Sequence, residues 1–309
     1  MRFSDERRLV IVENPRNGNA RKVAREVFGL LDDHGVPYER IVSRYSDTES
    51  NISMLSDQLR EGDRIIAAAG DGTASQLSNA VLLSGADAEV GFLPYGNFND
   101  LASAHTRIGS TVLDLLEVEP TVVTSLKVSL DGHHWRYAPA YTTIGWSAAA
   151  ADSFNHPVSR FITRNTLSPL RLGTSLLQVA CQYYLHRGDK LPDFTVNGSP
   201  PAHHDVTDII AVNTSTIAGA IGSTREWYRG DDFGYSELNV SHFFANVKFG
   251  LQSLARHMPL VSRQDIDILF ENTASLLIQH EGEASRVTAR QISIRKDSST
   301  TLQVLRTKG

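Results

Sequence analysis

The chain has one cysteine, Cys181, in 309 residues, so no internal disulfide can staple it. That is compatible with a reducing compartment. Cys181 lies in the apolar-rich, helix-like stretch Leu176 to Tyr184, where cysteine behaves as a small hydrophobe. No uninterrupted apolar run approaches the roughly 18 residues of a spanning helix. The charged start, Met1 to Arg8, also lacks the apolar segment of a signal peptide. A cytoplasmic protein is expected, with any membrane contact peripheral. Excess positive charge is missing too: Lys and Arg number 30 against 35 Asp and Glu, a formal charge of -5. This argues against a nucleic-acid partner. There is no tandem repeat or low-complexity tract. Two common nucleotide signatures are absent as well, the three spaced glycines of dinucleotide folds and the Gly-Lys-Ser/Thr ending of phosphate-binding loops.

What is present is an ordinary folded composition, 41% hydrophobic and 21% charged. The length exceeds what one core usually serves, which predicts two domains. Leu9 to Val12 reads as a buried strand, followed by the turn Asn14 to Asn19 and a helix over Ala20 to Leu31. Strand Tyr38 to Ser43, helix Ile52 to Arg60, strand Arg64 to Ala69 and helix Ala74 to Leu83 continue the alternation. Val90 to Leu93 then enters the turn Pro94 to Asp100 and a helix from Leu101. This rhythm predicts an open parallel sheet, whose ligands sit outside the carboxyl ends of the strands.

After about Pro120 the pattern turns to strands. Thr121 to Leu130 and Trp135 to Thr142 form an expected hairpin. Further strands are expected at Phe194 to Val196, Asp208 to Asn213, Glu237 to Ser241, Ile266 to Phe270, Ser275 to Gln279, Gln291 to Arg295 and Thr301 to Leu305. One helix, about Leu170 to Leu185, interrupts them. The expected fold is an α/β nucleotide-binding domain over residues 1–122 and a β-rich sandwich over 123–309. The last strand, within 299–309, is free to return to the first domain.

Three polar turns follow strands and so share one end of the sheet. Gly70-Asp71-Gly72-Thr73 lets the backbone approach a phosphate and offers helix-start amides to it. Asp71 is suited to hold a nucleotide or its magnesium, and Thr73 to cap the helix or bond a phosphate oxygen. In the first turn, Asn14, Arg16 and Asn17 present donors. In the third, Gly96, Asn97, Asn99 and Asp100 fall within five residues. Each turn taken alone also fits a simple capped connection.

Together these turns resemble the diacylglycerol kinase catalytic domain family, which includes bacterial lipid kinases and sphingosine kinases and is related in fold to NAD kinases. Its Asn-Pro-x-Ser-Gly corresponds to Asn14-Pro15-Arg16-Asn17-Gly18. Its Gly-Gly-Asp-Gly-Thr corresponds to Ala69-Gly70-Asp71-Gly72-Thr73, followed by Gln76 and Asn79. Its Gly-Thr-x-Asn-Asp corresponds to Gly96-Asn97-Phe98-Asn99-Asp100. Later segments also resemble it: Thr143 to Ala148 around Gly145, the acidic loop Asp231-Asp232-Phe233-Gly234, and the turn Glu281-Gly282-Glu283.

The resemblance implies ATP and Mg2+ as cofactors and a lipid hydroxyl, such as that of diacylglycerol, as acceptor. Glu283 is then the catalytic base and Asp71 its partner in catalysis, with Asp71, Asp231 and Asp232 near the metal. Nucleotide contacts fall to Asn14, Arg16, Asn17, Gly70, Gly72, Thr73, Gly96, Asn97, Asn99 and Asp100. Peripheral contact at the inner membrane surface fits a lipid substrate, and a homodimer is open. The segments Phe154 to Leu172 and Phe243 to Leu254 offer apolar side chains for an acyl groove, and Arg160, Arg164 and Arg171 offer charge for anionic headgroups. Ordinary core packing accounts better for the apolar segments, and solvated faces account equally well for the arginines.

Four positions depart from the family pattern: Asn17 for Ser, Ala69 for Gly, Gln76 for Glu and Asn97 for Thr. Two alternatives therefore stand beside the lipid kinase. One is a kinase for a soluble polyol, nucleoside or NAD-like acceptor. The other is a catalytically weak homologue that binds nucleotide or lipid.

Overall fold

The computed structural model describes residues 7–15, 19–43, 47–96, 99–155, 190–217, 221–222, 225–240 and 258–307. Its first part alternates strand and helix. The elements are β1 (Leu9–Glu13), α1 (Ala20–Val23) running through a π turn (Ala24–Phe28) into α2 (Gly29–Asp33), β2 (Glu39–Val42), α3 (Thr48–Gln58), β3 (Arg64–Ala69), α4 (Asp71–Ser84), β4 (Glu89–Pro94), α5 (Asp100–His105) and α6 (Val112–Leu116). β1 lies between β2 and β3 and parallel to both, and β4 pairs parallel with β3. Val10, Val12 and Ile65 pack with Leu77 of α4 on one face. Ile11 and Ile66 pack with Val27 and Leu31 on the other. Burial on both faces is why these strands read as continuous apolar runs.

The second part comprises β5 (Pro120–Leu130), β6 (His133–Ala138), β7 (Tyr141–Gly145), α7 (Trp146–Asn155), β8 (Phe194–Val196), β9 (Asp208–Val212), β10 (Thr216–Ile217), β11 (Ile221–Gly222), β12 (Phe233–Leu238), β13 (Val261–Arg263), β14 (Asp265–His280) and β15 (Glu283–Leu305). The expected sandwich is here a continuation of the first sheet. One 13-stranded sheet has the path β13-β12-β9-β7-β14-β15-β4-β3-β1-β2, with β5, β6 and β8 attached to its sides. β15 is the link, antiparallel to β14 along most of its length and parallel to β4 at Gln303 and Val304. The β-rich part packs strand faces on one another around Leu126, Val128, Phe233, Phe270, Ile278 and Ile294.

Several elements differ from the sequence expectation for local reasons. α3 starts earlier than Ile52, because the Asp47 side chain accepts the Ser50 amide at 2.8 Å and caps the helix. α4 likewise begins at Asp71 rather than Ala74. The expected strand Trp135 to Thr142 is split at Pro139: β6 pairs with β5, and β7 with β9 and β14. The four short strands expected after Gln264 merge into β14 and β15, with register shifts between Leu269 and Ala274 and between Lys296 and Thr301. α6, with its Thr111–Asp114 capping box, was not expected. The expected helix near Leu170 to Leu185, with Cys181, lies outside the described residues, as do Arg160, Arg164, Arg171 and the segment Phe243 to Leu254. Among the described residues no helix is long and apolar enough to cross a membrane.

α7 is a second unforeseen helix, and its start is tightly specified. Gly145 has φ +106°, and a Cβ there would lie 2.4 Å from the Thr207 carbonyl oxygen. The chain passes so close because the Trp146 amide donates to that same oxygen at 3.0 Å. One residue on, Asp208 is fully buried and accepts the Ser147 amide at 3.1 Å and the Ser147 hydroxyl. Burial pushes the Asp208 carboxyl up to about 7.

The folded state therefore holds a proton that the unfolded chain releases near pH 4. Asp208's contribution to stability is greatest below pH 4 and is lost as pH rises towards 7. We predict that D208N, which keeps the shape without the charge, loses less stability than the parent between pH 5 and pH 8. The difference should be a few kcal/mol at most, at about 1.4 kcal/mol per pKa unit. Chemical denaturation across that range measures it; parallel pH profiles would contradict it.

Candidate functional site

The β3–α4 and β4–α5 turns meet backbone to backbone. A Cβ on Gly96 would fall 2.5 Å from the Gly70 Cα, which excludes a side chain there, and one on Gly70 would press on the Gly96 Cα at 3.1 Å. Gly70 itself has φ -89°, so the need for glycine is close approach rather than backbone handedness. Ala69 ends β3 without a positive φ, which makes alanine acceptable there.

Asp71 ties the two turns together. Its carboxylate accepts the Asn99 amide at 2.6 Å and the Leu101 amide at 3.3 Å. Asn99, held at φ 56°, folds its side chain back to the Gly96 amide at 2.6 Å and the Gly96 carbonyl at 3.0 Å. Asp100 is fully buried and bonds the Tyr141 hydroxyl. Burial, and then the nearby Asp100 charge, push Asp71 up to about 7. From the first turn, Asn14 reaches the Thr73 hydroxyl at 3.4 Å, and Asn19 bonds the Tyr95 carbonyl at 2.8 Å. Arg16, Asn17 and Asn97 lie outside the described residues.

The β14–β15 turn delivers two carboxylates to the same place. Glu281, at φ 42°, is completely buried. It accepts the Ser75 hydroxyl at 2.6 Å and the amides of Ala140 and Tyr141 at 2.8 and 3.3 Å. Burial pushes it up to about 8, against the pull of these three donors. Glu283 is only partly buried. One oxygen accepts the Thr48 hydroxyl at 2.7 Å, and the other accepts the Gln76 amide group at 2.8 Å. That second oxygen lies 2.6 Å from where a Cβ on Gly72 would be.

The structure thus gathers Asn14, Gly70, Asp71, Gly72, Thr73, Gly96, Asn99, Asp100 and Glu283. Asp231 and Asp232 belong to another set of contacts, with Asp232 held by Arg225 and Ser262. Sequence reading missed Thr48, Ser75 and Tyr141. It also left Asn79 without a role: this side chain pairs with both backbone groups of Tyr137 at 2.8 Å. A signal was present, since Gly72, Ser75, Gln76 and Asn79 fall at the i, i+3, i+4, i+7 spacing of one helical face. Among the described residues no three side chains of metal-ligating type converge as a cation site.

The site thus joins a parallel α/β half, with glycine turns at its strand ends, to a carboxylate from a β-rich half. Residues 8–125 match the family model described as diacylglycerol kinase catalytic domain. The match covers this segment and leaves the β-rich part outside it. No curated protein matches it significantly. Among solved structures, a diacylglycerol kinase from Bacillus anthracis str. Sterne is similar at TM-score 0.67 and 14% identity, over 97% of this chain and 96% of that one. Two further structures from that organism, also described by that enzyme name, cover the same shares at TM-scores 0.65 and 0.63 and identities of 14% and 15%. At such identity the likeness establishes the fold.

A methyl group on Gly72 would force Glu283 away from Gln76 and Thr48. Glu283 is partly exposed and its far end can swing aside, and alanine favours a helix over glycine by about 1 kcal/mol. We therefore expect G72A to keep its urea-unfolding stability within about 1 kcal/mol of the parent's; a larger loss would show that Glu283 is locked against Gly72.

Proposed function

We propose that this protein is an ATP-dependent kinase that transfers the γ-phosphoryl group to a lipid hydroxyl such as that of diacylglycerol. The observation that carries the reading is the Glu283 carboxylate, held over Gly72 at the start of α4. Residues 1–122 serve as the nucleotide lobe and 123–309 as the lobe that supplies Glu283 and the acceptor surface. The protein works in the cytoplasm, meeting its substrate at the membrane surface.

The amides of Asp71, Gly72 and Thr73 open α4, and Gly70 at its N-cap has no side chain to cap them. Helix geometry leaves such amides without intrahelical acceptors, so they suit a phosphate. Thr73 and Asn14 flank them. Asp71 acts by shaping the loop, because its oxygens already accept the Asn99 and Leu101 amides. Among the described residues no cluster of metal-ligating side chains forms around it. Magnesium carried on the nucleotide supplies neutralisation of phosphate charge. Glu283 accepts the proton of the attacking hydroxyl as the oxygen bonds to phosphorus and the diphosphate leaves.

Gln76 presents a neutral N–H to Glu283 where a glutamate would place a second carboxylate. The test is labelled ATP offered with diacylglycerol in mixed micelles. Magnesium-dependent phosphate transfer is expected. Transfer only to soluble alcohols, or ATP binding with no turnover on any acceptor, would overturn the lipid reading. In the active enzyme, Q76E should move the acid limb of the pH–rate profile upward, because two adjacent carboxylates share a proton. An unmoved limb would remove Glu283 from the proton transfer.

A further inference from the structure

The acidic loop before β12 is crowded with the chain's own cations. Lys296 lies at the register shift of β15 and is 6% exposed. Its Nζ donates to the Trp227 carbonyl at 2.6 Å and to the Asp232 carbonyl at 3.1 Å. The first carbonyl opens the 3-10 turn Trp227–Arg229, and the second directly precedes β12. Asp232 turns its carboxylate to Arg225, at 2.6 and 2.7 Å, and to the Ser262 hydroxyl. The Arg225 guanidinium lies 4.2 Å over the Trp227 ring, which fixes it in place.

A divalent ion holding such a loop would take backbone carbonyls together with carboxylate oxygens. Here an ammonium already donates to two carbonyls, and the Asp232 oxygens are engaged. Lys296 and Arg225 also balance Asp231 and Asp232 in charge. The loop as built therefore does not fit the magnesium role that its acidic sequence suggests. We infer that Lys296 is an internal cation that organises the Asp231–Asp232 loop in place of a bound metal ion.

The hollow beside this loop, about 400 Å³ and lined by Asp231, Asp232, Ser262, Arg263 and Gln264, leaves a site that an ion can enter once the lysine is removed. K296A deletes the ammonium and leaves space with the carbonyls and carboxylates in place. Thermal unfolding of the full chain in EDTA and in millimolar magnesium or calcium tests this without any readout of catalysis. The wild type and D231N/D232N should show the same cation-induced change in midpoint. K296A should start several degrees lower and recover part of the loss with either cation.

A cation-induced rise in the wild type that D231N/D232N abolishes would show a metal in the loop and overturn the inference. A K296A midpoint equal to the wild type's, or one that no cation raises, would overturn it as well. Should K296A fail to fold, the comparison of wild type with D231N/D232N decides the matter alone.

Discussion

Helix α4 buries a polar face, and the rest of the site follows from the need to satisfy it. Ser75, Gln76 and Asn79 are each no more than 6% exposed, and buried polar groups cost about 1–3 kcal/mol when left unpaired. Their main partners come from the β-rich half: Glu281, Glu283 and the Tyr137 backbone. The helix that starts at the glycine turn therefore docks on the second half through polar bonds as well as apolar packing. β15 enforces the same union through the backbone, since the strand that begins at Glu283 ends beside β4.

This arrangement gives each carboxylate its own work. Glu281 is fixed by three donors and has no exposure, so it belongs to the scaffold. Asp71 holds the β4–α5 turn against the β3–α4 turn. Glu283 is partly exposed and held by one hydroxyl and one amide group. These two holders are both neutral.

Much of the parallel half was legible in the sequence, because runs such as Leu9 to Val12 and Arg64 to Ala69 announce buried strands and glycine turns punctuate them. The helix starts were less so. Asp47 and Asp71 look like loop residues until their place at a helix start is known. The β-rich half was legible as strands but not in their lengths, since Glu271 to Thr273 and Asp297 to Ser299 are polar stretches within β14 and β15. Pro139 hid a break between β6 and β7 inside a seemingly single strand. In the site, Gly70, Asp71, Gly72 and Glu283 stood out through the family resemblance. Thr48 could not, because its contact with Glu283 spans 235 positions of sequence and no local pattern encodes it.

In the proposed function Glu283 is positioned by hydrogen bonds but acts through its charge. Replacing it by glutamine removes the charge while retaining an amide of similar shape. Parallel measurement of unfolding and of phosphate transfer from ATP to a micellar lipid alcohol is the most direct test. E283Q is expected to fold with near-parental stability and to lose transfer by at least about 100-fold, the scale of general-base catalysis. Undiminished transfer in folded E283Q would contradict it.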